Sequence, residues 1–373
     1  MIYLDNAATT LIKPDSVGRE MLRAMRCCAS PGRGGHRPAM EAAELVFRAR
    51  ETAEKMFRVP TPEQVVFTMN ATHALNIAIR SLSGHGKRVL ISGYEHNSVT
   101  RPLAQIGADV RVARAPVFDP EAQLEAFRQS IEWAQLVVCT WVSNVFGYIL
   151  PVEKLAELCR EHSVPLIVDA SQAAGVLDVD FSRLDAAFVA MPGHKGLFGP
   201  QGTGILLCGN PGEPLMSGGS GSDSMLQSMP DYLPDRLEAG THNVTGIAGL
   251  LAGMEYVLEK GTGQIEHWER TLNRVMQEEL GGLEGLELFF GPEGTQSGVV
   301  SFRMKGIDCE EAGQRLAEHG ICVRSGLHCA PFAHKSAGTL DTGTVRASFS
   351  PFVTEEMVRR ACEEIRELLH TVA

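Results

Sequence analysis

Two residues near the middle of the chain have the types and placement for covalent chemistry. Asp169 closes the apolar run Leu166-Ile167-Val168, and Lys195 follows the next apolar run inside Pro192-Gly193-His194-Lys195-Gly196. Alone, each has an ordinary explanation: an aspartate after a strand caps a helix, and a lysine among glycines is solvated. Together, at the ends of neighbouring strands in a parallel sheet, they lie on the edge where ligands bind. A lysine that forms an imine and a carboxylate that keeps a pyridine nitrogen protonated are the two groups that pyridoxal phosphate (PLP) requires. Such a ring draws electrons from the α-carbon of an amino acid.

A phosphate needs fixed donors. Asn70-Ala71-Thr72-His73 sits between a strand pattern and a helix pattern, so the amides there and the Thr72 hydroxyl form an anion site or a simple N-cap. Neither a Walker A sequence nor a strand–GxGxxG–helix fingerprint is present, which favours a monophosphate over a nucleotide. Cys329 stands in a glycine-containing loop beside His328 and near Arg324. Positive neighbours there would favour the nucleophilic thiolate, whereas an isolated free cysteine is usually inert packing. A zinc site of His328, Cys329 and His334 lacks an obvious fourth ligand.

Seven strand patterns are expected to position these residues, at 65–68, 88–92, 109–113, 136–140, 165–168, 185–191 and 203–208. Helical spacing intervenes at 72–82, at 120–131 (Asp119 as cap, Pro120 at the first position) and at 152–162. Apolar strands alternating with helices indicate an α/β fold with a mainly parallel sheet covered on both faces. Beyond about residue 255 the pattern changes. A polar helix near 266–280 precedes strands near 299–302, 321–323 and 344–346, a helix near 310–319, and a last helix capped by Thr354, with Val358, Ala361, Ile365 and Leu368 on one face. The expected division is an N-terminal segment 1–14 packing near the small domain, a large cofactor domain 15–255, and a smaller α+β domain 256–373 carrying Cys329 and Arg346. The run 217–224 reads as a surface loop.

Composition limits the alternatives. A chain of 373 residues with 44% hydrophobic and 21% charged residues can build two or three folded units. The net charge of -11 argues against nucleic acid and anionic membranes as partners. No signal-peptide pattern and no membrane-length apolar run is seen, so a cytoplasmic protein is expected. Nine cysteines without paired CxxC spacing fit reduced thiols.

Blocks spread nearly end to end carry a more specific likeness. They are Tyr3-Leu4-Asp5-Asn6-Ala7-Ala8-Thr9-Thr10, Glu95-His96-Asn97, Ser143-Asn144, Asp169-Ala170-Ser171-Gln172, Gly193-His194-Lys195, Arg236-Leu237-Glu238-Ala239-Gly240-Thr241, Arg324-Ser325-Gly326-Leu327-His328-Cys329-Ala330 and Arg346-Ala347-Ser348. In this order they resemble the fold-type-I PLP enzymes of the class V aminotransferase superfamily, nearest the cysteine desulfurase and selenocysteine lyase group.

The resemblance implies roles. Lys195 would carry PLP as a Schiff base, and Asp169 would face the pyridine nitrogen. His96 would stack on the ring. Asn144 and Gln172 would bond near the ring oxygen, with Asn144 also beside the substrate. Ala71, Thr72 and His194 would hold the phosphate. Thr241 would reach the phosphate of a second copy, implying a homodimer. Arg346 would clamp the substrate carboxylate, and Cys329 would take sulfur as a persulfide. The implied reaction converts L-cysteine to L-alanine and passes sulfur to an acceptor protein for iron–sulfur clusters or other thio-cofactors. Alternatives are a selenocysteine lyase, a class V aminotransferase or lyase acting on another small amino acid, and a PLP-binding scaffold without turnover. The sequence departs from the pattern at Pro192, where many relatives have a phosphate-binding serine, and at Leu327, where one subgroup has a second histidine.

Overall fold

The computed structural model describes residues 1–32 and 34–372. The chain opens with a short strand, β1 (Ile2–Tyr3), and continues with β2 (Val65–Thr68), β3 (Arg88–Ser92), β4 (Asp109–Ala113), β5 (Leu136–Thr140), β6 (Leu166–Asp169), β7 (Phe188–Pro192) and β8 (Gly204–Cys208). Strands β2 to β8 form one seven-stranded sheet in the order β2-β8-β7-β6-β5-β3-β4. The pairs β4–β3–β5–β6–β7 are parallel, and β8 runs antiparallel to both of its neighbours. The sheet is therefore mainly parallel, as the strand–helix alternation requires.

Side-chain alternation explains why the central strands are apolar on both faces, while the edge strand β4 carries exposed Asp109 and Arg111. Leu90, Val137, Val168, Val189 and Leu207 enter one buried cluster with the helix Arg37–Phe57. Val89, Ile91, Val138, Ile167, Phe188 and Leu206 enter another beneath the helix Ala71–Leu82. Successive residues point to opposite faces, and both faces of the central strands are covered, so a buried polar residue there needs a partner.

A four-stranded antiparallel sheet follows, built from β9 (Leu286–Phe289), β10 (Val299–Met304), β12 (Arg324–Gly326) and β13 (Thr344–Ser348) in the order β12-β13-β10-β9. Strand β11 (Ile321–Cys322) pairs instead with β1. Ile2 and Leu4 join the buried cluster of this second sheet, with Leu272, Phe302, Val345 and Ile365. Among the described residues, no helix is long and apolar enough to cross a membrane.

Three local expectations shift. The sixth pattern, at 185–191, begins as strand only at Phe188, because Asp185 adopts a left-handed conformation (φ 47°) that closes the short helix Phe181–Leu184. Ile131 continues the apolar spacing of the helix Pro120–Arg128 but lies beyond it, in a 3₁₀ turn. The pattern near 321–323 is strand only at Ile321–Cys322 (β11), and a separate strand, β12, begins just after it at Arg324 and joins the other sheet.

Candidate active site

The ends of β2, β3, β5, β6 and β7 converge on one cavity of about 180 Å³. Its walls include Ala71, Thr72, His96, Asn144, Asp169, Gln172, His194 and Lys195, all eight expected from the sequence.

Asp169, the last residue of β6, is 2% exposed. Its Oδ1 accepts the Ser171 amide at 2.9 Å. Lys195 follows β7 by three residues. Its ammonium is lowered to about 8, chiefly by burial, with Arg346 and Arg324 acting in the same direction and Asp169 and Asp5 opposing. The Lys195 turn is held from the N-terminal segment: the His194 carbonyl accepts the Thr10 amide at 3.1 Å and the Thr9 and Thr10 hydroxyls at 3.2 and 3.1 Å. Behind the turn, a Cβ on Gly175 (φ 84°) would fall 2.1 Å from the Gly196 carbonyl oxygen, so only glycine permits that approach.

His96 N-caps the helix Asn97–Gln105, with Nδ1 accepting the Ser98 amide at 3.0 Å. Burial pushes its pKa down to about 4, with Asp169 opposing, so the ring is neutral at pH 7 and carries its proton on Nε2. The Ser98 hydroxyl lies 2.9 Å from His96 Nδ1 and 2.7 Å from the Thr72 hydroxyl. Ser98 lines the cavity and was missed, although it directly follows the Glu95-His96-Asn97 block. Ala71 and Thr72 open the helix Ala71–Leu82, where the first amides have no intrahelical acceptor. Pro192 also lines the cavity and offers neither hydroxyl nor amide.

Three expected site residues lie outside the cavity lining. Thr241 lines a different cavity, with Thr68, Met69, Gly202 and His242. Arg346 is 2% exposed and engaged: Nη1 donates to the Asn144 carbonyl at 2.8 Å and Nη2 to Asp5 Oδ1 at 2.6 Å. Its Nε has no partner among the described residues. Cys329 is exposed, in the short loop between β12 and the helix Pro331–Ala337. That loop is tied to the cavity through its main chain. The Asn97 amide donates to the Cys329 carbonyl and Asn144 Nδ2 to the His328 carbonyl, both at 2.8 Å. His328 (φ 49°) and Cys329 (φ 56°) are both left-handed, a conformation costing about 1–2 kcal/mol per residue.

The charge expected beside Cys329 is corrected in one respect. His328 is buried and its Nε2 lies 3.1 Å from both the Thr344 carbonyl and the Thr344 hydroxyl. Burial, with Arg346 adding to it, holds its pKa well below the usual value. The imidazole is neutral and supplies no positive charge to the thiol.

A buried carboxyl, a buried lysine, a neutral histidine and helix-terminal amides in one cavity suit a phosphorylated aromatic aldehyde. The whole chain agrees with that chemistry. Residues 2–360 match the family described as Aminotransferase class-V. The chain belongs to the class V aminotransferase family. Among family relatives, a probable cysteine desulfurase of Methanothermobacter thermautotrophicus is 33% identical, with 98% of this chain and 94% of the relative aligned. A cysteine desulfurase of Klebsiella pneumoniae is 31% identical over 99% of this chain and 94% of its own length. An apo cysteine desulfurase of Thermococcus onnurineus superposes with a TM-score of 0.90 at 31% identity, covering 99% of this chain and 95% of that one. The S-sulfonic acid form of an Escherichia coli cysteine desulfurase gives 0.85 at 25% identity, covering 100% and 95%.

Proposed function

We propose that this family member is a PLP-dependent cysteine desulfurase that moves sulfur from L-cysteine to Cys329, leaving L-alanine. The observation that carries the reading is the Cys329 loop bonded by its main chain to Asn97 and Asn144, beside a cavity that buries Lys195 and Asp169. The relatives named as cysteine desulfurases along nearly the whole chain support it.

Residues present fit the cofactor. Asp169 keeps Oδ2 for the pyridine nitrogen, since its Oδ1 is taken by Ser171. The amides of Ala71 and Thr72, the Thr72 and Ser98 hydroxyls and the buried, unpartnered His194 Nδ1 suit the phosphate. When bound, the cofactor supplies an electron-withdrawing ring conjugated to the substrate's amino group. Lys195, whose ammonium is lowered to about 8, would be the residue that holds the cofactor covalently and would serve as general base for the α-proton of cysteine. His96, neutral and fixed through Nδ1, would present its Nε2 proton to the cavity that the cofactor would occupy. Arg346 would hold the substrate carboxylate through Nε and through Nη2, which the carboxylate would take over from Asp5. The Cys329 thiolate attacks the substrate sulfur, so the carbon–sulfur bond breaks as the sulfur–sulfur bond forms. The proton accounting closes: cysteine plus the Cys329 thiol give alanine plus a Cys329 persulfide.

Thr241 supports a homodimer. It lies away from the cavity of its own chain, in an exposed stretch next to Gly240. In this reading it completes the phosphate site of a second copy, and the persulfide passes to an acceptor protein.

The test incubates PLP-loaded protein with L-cysteine and a reductant, measuring sulfide and alanine. Equal amounts of both are expected, with sulfide release lost in Cys329→Ala. Full sulfide release by that variant overturns the role of Cys329.

A further inference from the structure

Glu95 belongs to the conspicuous Glu95-His96-Asn97 block, yet none of the steps above uses it. It is 0% exposed, in the turn between β3 and His96. One carboxyl oxygen, Oε1, accepts three donors: the Ser92 hydroxyl at 2.5 Å, the Thr140 amide at 3.0 Å and the Ser92 amide at 3.3 Å. The other, Oε2, has no partner among the described residues. Thr140 is the last residue of β5 and lies opposite Asp169 in the β5–β6 register. Glu95 thus joins the ends of β3 and β5 one strand away from Asp169, and the next residue is His96.

Among the described residues, no cation balances this carboxyl. The titratable groups that face it are Asp169 on β6 and the buried Cys139 thiol on β5, with His96 adjacent on its own turn. An anion buried beside another anion without a counter-charge is strongly unfavourable. Burial accordingly pushes Glu95 up to about 8, outweighing the Ser92 and Thr140 hydrogen bonds that favour the ionised form, with the Asp169 charge acting in the same direction as burial.

We propose that Glu95 is a positioning residue acting as a neutral carboxylic acid, which joins the ends of β3 and β5 so that Asp169 alone would carry negative charge toward the cofactor's pyridine nitrogen. The cofactor part rests on the function proposed above. A second carboxylate here would pull a proton onto Asp169 and weaken its hold on a cationic ring. A neutral acid supplies the acceptor that the strand ends need without adding charge.

The test compares wild type, Glu95→Gln and Glu95→Ala. Glutamine keeps an acceptor at Oε1 and replaces the acid by an uncharged group of the same shape. Glu95→Gln is expected to bind PLP within about threefold of wild type, with the same absorption band and KM for cysteine at pH 7. Glu95→Ala leaves the Thr140 amide unmet and is expected to lose PLP affinity by more than about tenfold, or to fail to fold. A second readout uses apoprotein. The folded state holds the Glu95 proton up to about pH 8, while an unfolded glutamate releases it near 4.5. The urea midpoint of wild type should therefore fall relative to Glu95→Gln as pH rises from 4.5 to 8. A shifted absorption band or a tenfold loss of PLP affinity in Glu95→Gln at pH 7 overturns the proposal, as do parallel midpoint profiles of the two apoproteins. Wild type that binds no PLP refutes the proposed function, while the apoprotein comparison still decides the protonation state of Glu95.

Discussion

Asn144 donates its Nδ2 to the carbonyl of His328 at 2.8 Å, across 184 residues of chain. The same Asn144 lines the cavity of Lys195 and Asp169, and its own carbonyl accepts Nη1 of Arg346. One side chain and its backbone therefore connect the cavity of Lys195 and Asp169, the Arg346 guanidinium and the Cys329 loop. Asn144→Ala is expected to lower kcat by at least about tenfold, because misplacing a reacting group by a fraction of its reach forfeits the alignment a fixed loop supplies. Single-turnover sulfide release, compared with the visible spectrum of bound PLP, checks that chemistry suffers more than cofactor binding.

Lys195 makes a prediction about pH. Its folded pKa is lowered to about 8 from 10.5, so between these values the unfolded chain binds the extra proton. Apoprotein stability should rise with pH across that window, by an amount on the order of 3 kcal/mol if no other group titrates. Lys195→Met should remove this rise in urea titrations at pH 8 and 10.5, and borohydride should then fix no PLP to the protein.

Glu269 acts in the opposite direction. It is buried at the helix Thr262–Leu280, facing the amide of Gly298, and burial raises it to about 8 with Glu266 adding to the effect. The folded state keeps this proton while the unfolded chain loses it near 4.5, so stability falls as pH rises from 4.5 to 8. Glu269→Gln keeps the acceptor for Gly298 and should be more stable at pH 8 by roughly 2–4 kcal/mol, with no difference near pH 4. Equal melting temperatures at pH 8 would refute the buried neutral acid.

Arg346 and Asp5 form an ion pair at 2.6 Å with the arginine 2% exposed on its side chain and the aspartate 20%. Lysine cannot reproduce the planar fork. Arg346→Lys should raise KM for cysteine about tenfold, or 1.4 kcal/mol of lost carboxylate binding, with kcat changed less. It should also lower the melting temperature, since Asp5 keeps its charge and loses a fitted partner.

The neutral His328 predicts the reactivity of Cys329. Alkylation by iodoacetamide should show no inflection near pH 6.5, where an exposed histidine would titrate. An inflection there, absent in His328→Gln, would mean that the imidazole does charge beside the thiol.

Local pattern explains what could be read from the residues. The seven apolar strands alternate with helices at short range, so the parallel sheet and the placing of Asp169 and Lys195 at its edge followed directly. The helix Val244–Lys260 escaped for a physical reason. Its Gly246, Gly249 and Gly253 look like helix breakers. In the fold a Cβ at Gly253 would lie 2.1 Å from the Leu197 carbonyl oxygen, so the glycine lets this helix approach the turn after Lys195. Ser98 escaped because its value lies in contacts with Thr72 and His96, not in its spacing.

Strand order, register and pairing across hundreds of residues are set by which buried surfaces meet, and no short window contains that information. The sequence by itself determined the residue types able to hold a phosphorylated aldehyde and the periodicities that bring them to a sheet edge. Only the tertiary structure decided that Arg346 is already paired with Asp5, that His328 is stripped of charge by burial, and that Glu95 faces Asp169 without a cation. Each depends on what surrounds a group in three dimensions, because desolvation and Coulomb energy are properties of the environment and not of the residue.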